Sequence, residues 1–172
     1  MWCLRITIAL LFFCVFISVI HAFPQGAPVE SCDSMLPRHE LLKPSPPESS
    51  PFSFIASTNH YTYSTIPGIT VEILGAPFKG FFVAAIDPHT KKRIGSWKKV
   101  KGTDPLPCSA ITHVDPYPKS HVTLLWEPPR DRGEGDVIFL ATIAESYSVY
   151  YTGQVATVPI PTDGDFNTLF KK

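Results

Sequence analysis

Six cations crowd one short stretch of the chain: Lys91, Lys92 and Arg93, then Lys98, Lys99 and Lys101, bracketing a run that ends at Trp97. If both ends of one hairpin face the same way, these six lie near one another and attract phosphate, sulfate or carboxylate groups of an anionic surface, because the summed field raises the rate of encounter. The same lysines are also the usual device for keeping an edge strand solvated and unpaired, and that is the commoner reason for them. His39, His60, His89, His113 and His121 carry metal-ligating nitrogens, yet their spacing matches neither a His-x-x-x-His pair nor a Cys pair, so no metal and no cofactor is expected. No Gly-x-Ser-x-Gly elbow and no Walker loop occurs, and no catalytic residue is nominated. Paired carboxylates for glycoside hydrolysis are a spatial matter, and the acids here mostly flank Gly or Pro, where turns require them. Tyr61, Tyr63, Tyr147, Tyr150 and Tyr151 could stack on sugar rings, although packing across strands is the commoner use of such residues.

Which of these side chains meet ligand depends on where the chain resides. Residues 1–22 carry one positive charge, Arg5, followed by an apolar run from Ile6 to Ile20 broken only by Thr7 and Ser18, and end at the small residue Ala22. That pattern predicts a secretory signal cleaved after Ala22. A cut after Ile20 would instead expose His21 as an N-terminal amine and imidazole able to hold copper, but Ala22 suits the cleavage site better. Losing Arg5 takes away one of 15 basic residues against 15 acidic ones, so the mature chain stays near neutral and does not read as a nucleic-acid binder. No later run approaches the roughly 20 apolar residues of a spanning helix. A secreted, extracellular product without stable membrane insertion is therefore expected. Cys3 and Cys14 leave with the signal, and Cys32 and Cys108 should pair in the oxidising compartment. Closing a loop of that length restricts the unfolded chain by about 4 to 4.5 kcal/mol in the chain-entropy account.

The elements that position these residues are strands. From Phe23 to Pro51 prolines recur too densely for a regular strand or helix, predicting an extended arm pinned by Cys32, with Met35 and Leu36 packed on the body. Beyond Pro51, short runs of β-branched and aromatic residues alternate with Pro, Gly, Asp and Lys clusters. Strands are expected at Phe52 to Ser57, Ile69 to Leu74, Gly80 to Ile86, Arg93 to Lys98, Ala110 to Val114, His121 to Trp126, Asp136 to Glu145 and Val149 to Val158. Ile69, Val71 and Ile73 share one face, as do Val122, Leu124 and Trp126, and Val137, Phe139, Ala141 and Ile143, so each strand buries one side. Pro67-Gly68, Asp87-Pro88, Asp115-Pro116 and Gly133-Glu134-Gly135-Asp136 supply turn chemistry between them. The organisation expected is all-β: a two-sheet sandwich over 23–158, with 159–172 a loosely held tail.

Taken in order, Gly26-Ala27-Pro28 before Cys32, Met35-Leu36-Pro37-Arg38-His39, Ser49-Ser50-Pro51-Phe52, Pro67-Gly68-Ile69-Thr70-Val71, Phe78-Lys79-Gly80-Phe81-Phe82-Val83, Ile94-Gly95-Ser96-Trp97, Cys108-Ser109-Ala110-Ile111-Thr112-His113 and Gly135-Asp136-Val137-Ile138-Phe139-Leu140-Ala141-Thr142 resemble the reeler domain. The resemblance spans nearly the whole mature chain and is greatest to the small secreted insect defence proteins of the noduler type. It implies an immunoglobulin-like sandwich, the cysteine pair Cys32 and Cys108, and no catalytic residues. Ferric-chelate reductases also begin with this module, but their redox chemistry belongs to later cytochrome-bearing segments, so a reductase activity is not expected to carry over. What the resemblance implies for function is innate immunity: binding microbial surface molecules such as lipopolysaccharide and glycans, and blood cells, to promote aggregation or nodulation. The alternative is an extracellular-matrix or signalling module whose partner is a host cell-surface or extracellular protein.

Overall fold

The computed structural model describes residues 25–37 and 42–160. The expected signal segment 1–22, most of the expected tail 159–172, and His39 lie outside the described residues.

Two antiparallel sheets face each other across one core. Their strands are β1 (Phe52–Ala56), β3 (Ile69–Phe78), β4 (Gly80–Ile86), β5 (Ser96–Trp97), β6 (Thr103–Leu106), β7 (Ala110–His113), β8 (Lys119–Glu127), β10 (Ile138–Ala144) and β11 (Tyr150–Val155). One sheet runs β1-β3-β8-β5 and the other β11-β10-β4-β7-β6, while β2 (His60–Tyr61) and β9 (Gly135–Asp136) make a separate two-stranded ladder. The all-β sandwich expected from the sequence is present. Register explains why period-two patterning suffices. Ile69 lies opposite Trp126, Val71 opposite Leu124 and Ile73 opposite Val122, so branched side chains from neighbouring strands fall on the same inner face. On the facing sheet, Phe139, Ala141 and Ile143 pair with Ala85, Val83 and Phe81 in the same way.

Trp126, with no exposed surface, sits at the middle of this core. Its ring meets Tyr61 and Phe139 edge-on, with centroids 5.5 Å away in both cases, and its indole N–H donates to the Ile94 carbonyl at 3.1 Å. Edge-to-face contacts suit the ring quadrupoles, and the satisfied N–H lets the largest side chain be buried without an orphan donor. In β3 the register shifts between Leu74 and Phe78. Gly75 sits there at φ 126°, where a Cβ would come within 2.4 Å of the Pro51 carbonyl, so only glycine allows the bulge that turns Phe78 back into the core.

Besides the β2–β9 ladder, which was not expected and which splits the strand expected from Asp136 to Glu145, the structure departs from the expected elements in three places. The segment expected as a strand from Arg93 to Lys98 is a crossover. Arg93 bridges Ile86 on the five-stranded sheet, Gly95 turns the chain at φ 69°, and Ser96–Trp97 pair with β8 on the other sheet. Thr103–Leu106, which the expected strands do not include, is the edge strand β6, a position in a sheet that tolerates Pro105. The arm is not wholly irregular: Ser31–Ser34 form one helical turn, α1, closed by the Met35 N–H donating to the Ser31 carbonyl at 2.8 Å, and Pro47–Ser49 form a 3-10 turn.

The arm gives the five-stranded sheet a second buried face. Phe82, Ala84 and Ala110 point away from the main core and are buried beneath Ala27, Met35 and Cys108. This is why six consecutive residues of β4, Gly80 to Ala85, are buried where a one-faced strand would alternate. Met35 is half-buried on the body, as expected, whereas Leu36 remains 45% exposed.

Candidate functional site

The six cations do not bracket one hairpin. Because the chain changes sheets at Gly95, Lys91, Lys92 and Arg93 belong to the loop and bridge beside β4, while Lys98, Lys99 and Lys101 follow β5 on the opposite sheet. The hairpin that would have brought both groups together is absent. Arg93 turns inward: its guanidinium donates through Nη2 to the Cys32 carbonyl and through Nη1 to the Cys108 carbonyl at 3.4 Å, and its Cζ lies 5.5 Å from the centre of the Phe82 ring. Lys98 pairs with Glu127 at 3.1 Å and Lys99 with Asp104 at 2.7 Å. That leaves Lys91, Lys92 and Lys101, all exposed, with ammonium groups that meet no partner among the described residues.

Cys32 and Cys108 form a disulfide with their Cα atoms 6.0 Å apart, so the carbonyls that Arg93 binds belong to the two bridged residues. Nearby, Asp87 caps the turn before Lys91. Its Oδ1 accepts from the backbone N–H of His89 at 2.8 Å and of Thr90 at 3.1 Å, and its Oδ2 from Arg132 at 2.6 Å. These bonds, those to the backbone of Thr90 and His89 foremost and that to Arg132 after them, outweigh the effect of burial and pull the Asp87 carboxyl down to about 2.

The histidines are dispersed. His60 pairs with Asp136 at 2.8 Å and His121 lies 3.4 Å from Glu72, while His89 is exposed. Among the described residues no three His, Cys, Asp or Glu side chains are placed to hold a metal ion. The tyrosines divide: Tyr61, Tyr150 and Tyr151 are buried, and Tyr63 and Tyr147 are exposed beside different pockets, so they make no common stacking surface.

A second place escaped the sequence reading altogether. Between the arm and the outer face of the five-stranded sheet lies a largely apolar pocket of about 260 Å³. The arm is bolted above it by named bonds: the Ala27 N–H donates to Thr112 Oγ1 at 3.0 Å, and Thr142 Oγ1 donates to the Met35 carbonyl at 2.7 Å. Gly26, at φ 112°, lets the arm lie so close to β7 that a Cβ there would reach within 2.4 Å of the His113 carbonyl. His113 forms part of the pocket wall. Its Nδ1 lies 3.2 Å from the Phe81 backbone nitrogen and 3.3 Å from the Phe81 carbonyl, and burial lowers its pKa. The faint sequence signal for this pocket was the unbroken apolar run of β4, which demands a cover on both faces.

Among the described residues no helix is long and apolar enough to cross a membrane. Comparison with known proteins agrees with the architecture. A crystal structure of the human F-spondin reeler domain superposes with a TM-score of 0.52 at 16% identity, over 70% of this chain and 94% of that one. Defense protein l(2)34Fc of Drosophila melanogaster is 31% identical over 153 residues, which are 83% of this chain and 90% of that protein. Ferric-chelate reductase 1 of Bos taurus is 29% identical over 144 residues, 78% of this chain but 23% of that protein, so this chain spans about a quarter of the length of such relatives. The reeler domain family model matches residues 30–163, most of the two-sheet sandwich included: this chain belongs to the reeler domain family.

Proposed function

We propose that this protein is a secreted recognition protein of innate defence that binds anionic components of microbial surfaces, such as lipopolysaccharide, and through them promotes aggregation. The observation that carries the proposal is the match to a protein named for defence over 90% of that protein's own length. The free ammonium groups of Lys91, Lys92 and Lys101 support it, since exposed, unpaired cations are available to phosphate and carboxylate groups and act at a range set by ionic strength. The proposal assigns the chain binding and no reaction.

The test is retention on intact bacteria, on immobilised lipopolysaccharide and on β-glucan. Replacing Lys91, Lys92 and Lys101 together by Gln should weaken retention on the anionic supports several-fold and flatten its salt dependence. Replacing Lys98 and Lys99, which are already paired, should change it far less. Equal retention of both variants and the wild type would dispose of the lysine-mediated mechanism. A second reading, a module that engages a host extracellular protein, is favoured by the alignment with only a quarter of a much longer reductase. Recovery of a host protein with no retention on any microbial support would select it.

A further inference from the structure

We propose that the pocket between the arm and the five-stranded sheet binds a single aliphatic chain bearing an anionic oxygen head, the chemistry of a fatty acid or of one acyl arm of an acidic lipid. Four observations converge on that class of ligand. The walls are apolar on both sides, with Phe82 and Ala144 from the sheet and Ala27, Met35 and Leu36 from the arm. A cavity of about 150 Å³ takes one benzene, so the 260 Å³ here accommodates a chain on the order of ten carbons by the same proportion.

The polar groups are as selective as the walls. Ser31 lines the pocket with 3% of its surface exposed, and its Oγ has no hydrogen-bond partner. A hydroxyl withdrawn from water and left unpaired is unfavourable unless something else bonds to it, and an ester, hydroxyl or carboxylate oxygen does so. At the same pocket Lys79 is exposed and its ammonium group is unpaired among the described residues. The neighbouring Lys119 is, by contrast, fully engaged, donating to Asp115 Oδ1 and to the carbonyls of Lys79, Asp115 and Tyr117. Among the described residues no Asp or Glu lines the pocket, and the nearby Asp115 is paired with Lys119, so the free positive charge of Lys79 stands beside an apolar slot. This site shares no residue with Lys91, Lys92 and Lys101, and failure of either proposal leaves the other standing.

The experiment is calorimetric titration of the whole mature protein with dodecanoate below its micellar range, paired with backbone amide NMR. One-to-one binding is expected, with shifts concentrated at Ala27, Met35, Gly80 and Ala144. Dodecyltrimethylammonium should bind at least tenfold more weakly. Ala144→Phe, which fills the slot from the outer face of β10, should abolish binding. Lys79→Gln should weaken dodecanoate about tenfold while leaving dodecanol unchanged. Ser31→Ala removes the unpaired hydroxyl, so it should raise the melting temperature of the free protein and yet weaken the complex. Vesicles of phosphatidylglycerol separate the two sources of the chain: wild-type binding to them that Ala144→Phe abolishes assigns a lipid-borne chain, and binding of dodecanoate alone assigns a free fatty acid. Absence of dodecanoate binding, shifts confined to residues outside the pocket, or equal affinity for the anionic and cationic detergents would overturn the proposal, and the wild-type shift map decides even if Ala144→Phe does not fold.

Discussion

Replacing Arg93 by Met isolates the consequence of a cation turned inward. Met keeps most of the aliphatic length against Phe82 but removes the guanidinium that spans the two disulfide carbonyls. Hydrogen bonds from a charged donor contribute about 1.5 to 3 kcal/mol each, and a partly exposed cation over a ring roughly 0.5 to 1. The bond to Cys108, at 3.4 Å, is near the geometric limit, and Arg93 is only half-buried, so water recovers part of the loss. The net cost should be about 2 to 3 kcal/mol, which for a domain of this size lowers the melting temperature by roughly 5 to 10 °C. Lysine should rescue little, because a point charge cannot satisfy two diverging carbonyls as the planar fork does. Thermal unfolding by circular dichroism, with Lys92→Gln as the control expected to stay within about 0.5 kcal/mol, measures the difference. If Arg93→Met melts with the wild type, or if it loses retention on lipopolysaccharide while keeping its stability, Arg93 is a surface cation and the inward assignment is wrong.

Three further outcomes follow from the same geometry. The Asp87 carboxyl has a folded-state pKa of about 2 against an ordinary 3.8, so its contribution is complete above about pH 4 and is lost as pH falls through about 2; urea midpoints between pH 5 and pH 2 should fall further for the wild type than for Asp87→Asn. Removing the disulfide by replacing Cys32 and Cys108 with Ser should cost up to about 4 to 4.5 kcal/mol and raise amide hydrogen exchange at Ala27 and Met35, whose anchorage the bridge shares. Trp126→Ala leaves a cavity at the centre of the core and should destabilise by about 3 to 5 kcal/mol in chemical denaturation.

What could be read from residues alone, and what could not, divides along a physical line. The strands β3, β8 and β10 were legible because their inner faces are written in every second residue, and a disulfide between Cys32 and Cys108 needed only the compartment and the count. The crossover at Gly95 was not, because a short apolar run before Trp97 looks the same whether it stays in one sheet or passes to the other; its glycine, with a Cβ position 2.4 Å from the Trp126 ring, was the one local sign. The inward Arg93 was hidden for a different reason. The carbonyls that claim it lie 61 and 15 residues away in the chain, and only the folded arm brings them together.

The pocket has the same origin, since its walls come from residues as far apart as Gly26 and Tyr147 and no motif joins them. The docked proline-rich arm therefore both draws a cation inward and walls an apolar slot on the outer face of the sheet. A sheet with one bare apolar face would offer an aggregation-prone surface. Covering it imperfectly, with a one-turn helix that leaves Ser31 unpaired, turns that liability into a bounded cavity with a free lysine beside it. The arm should then set the length of chain the slot accepts while Lys79 sets its preference for an anionic head, and exchanging residues 25–37 between two members of the family should move the chain-length preference with the arm and leave the anion preference with the sheet.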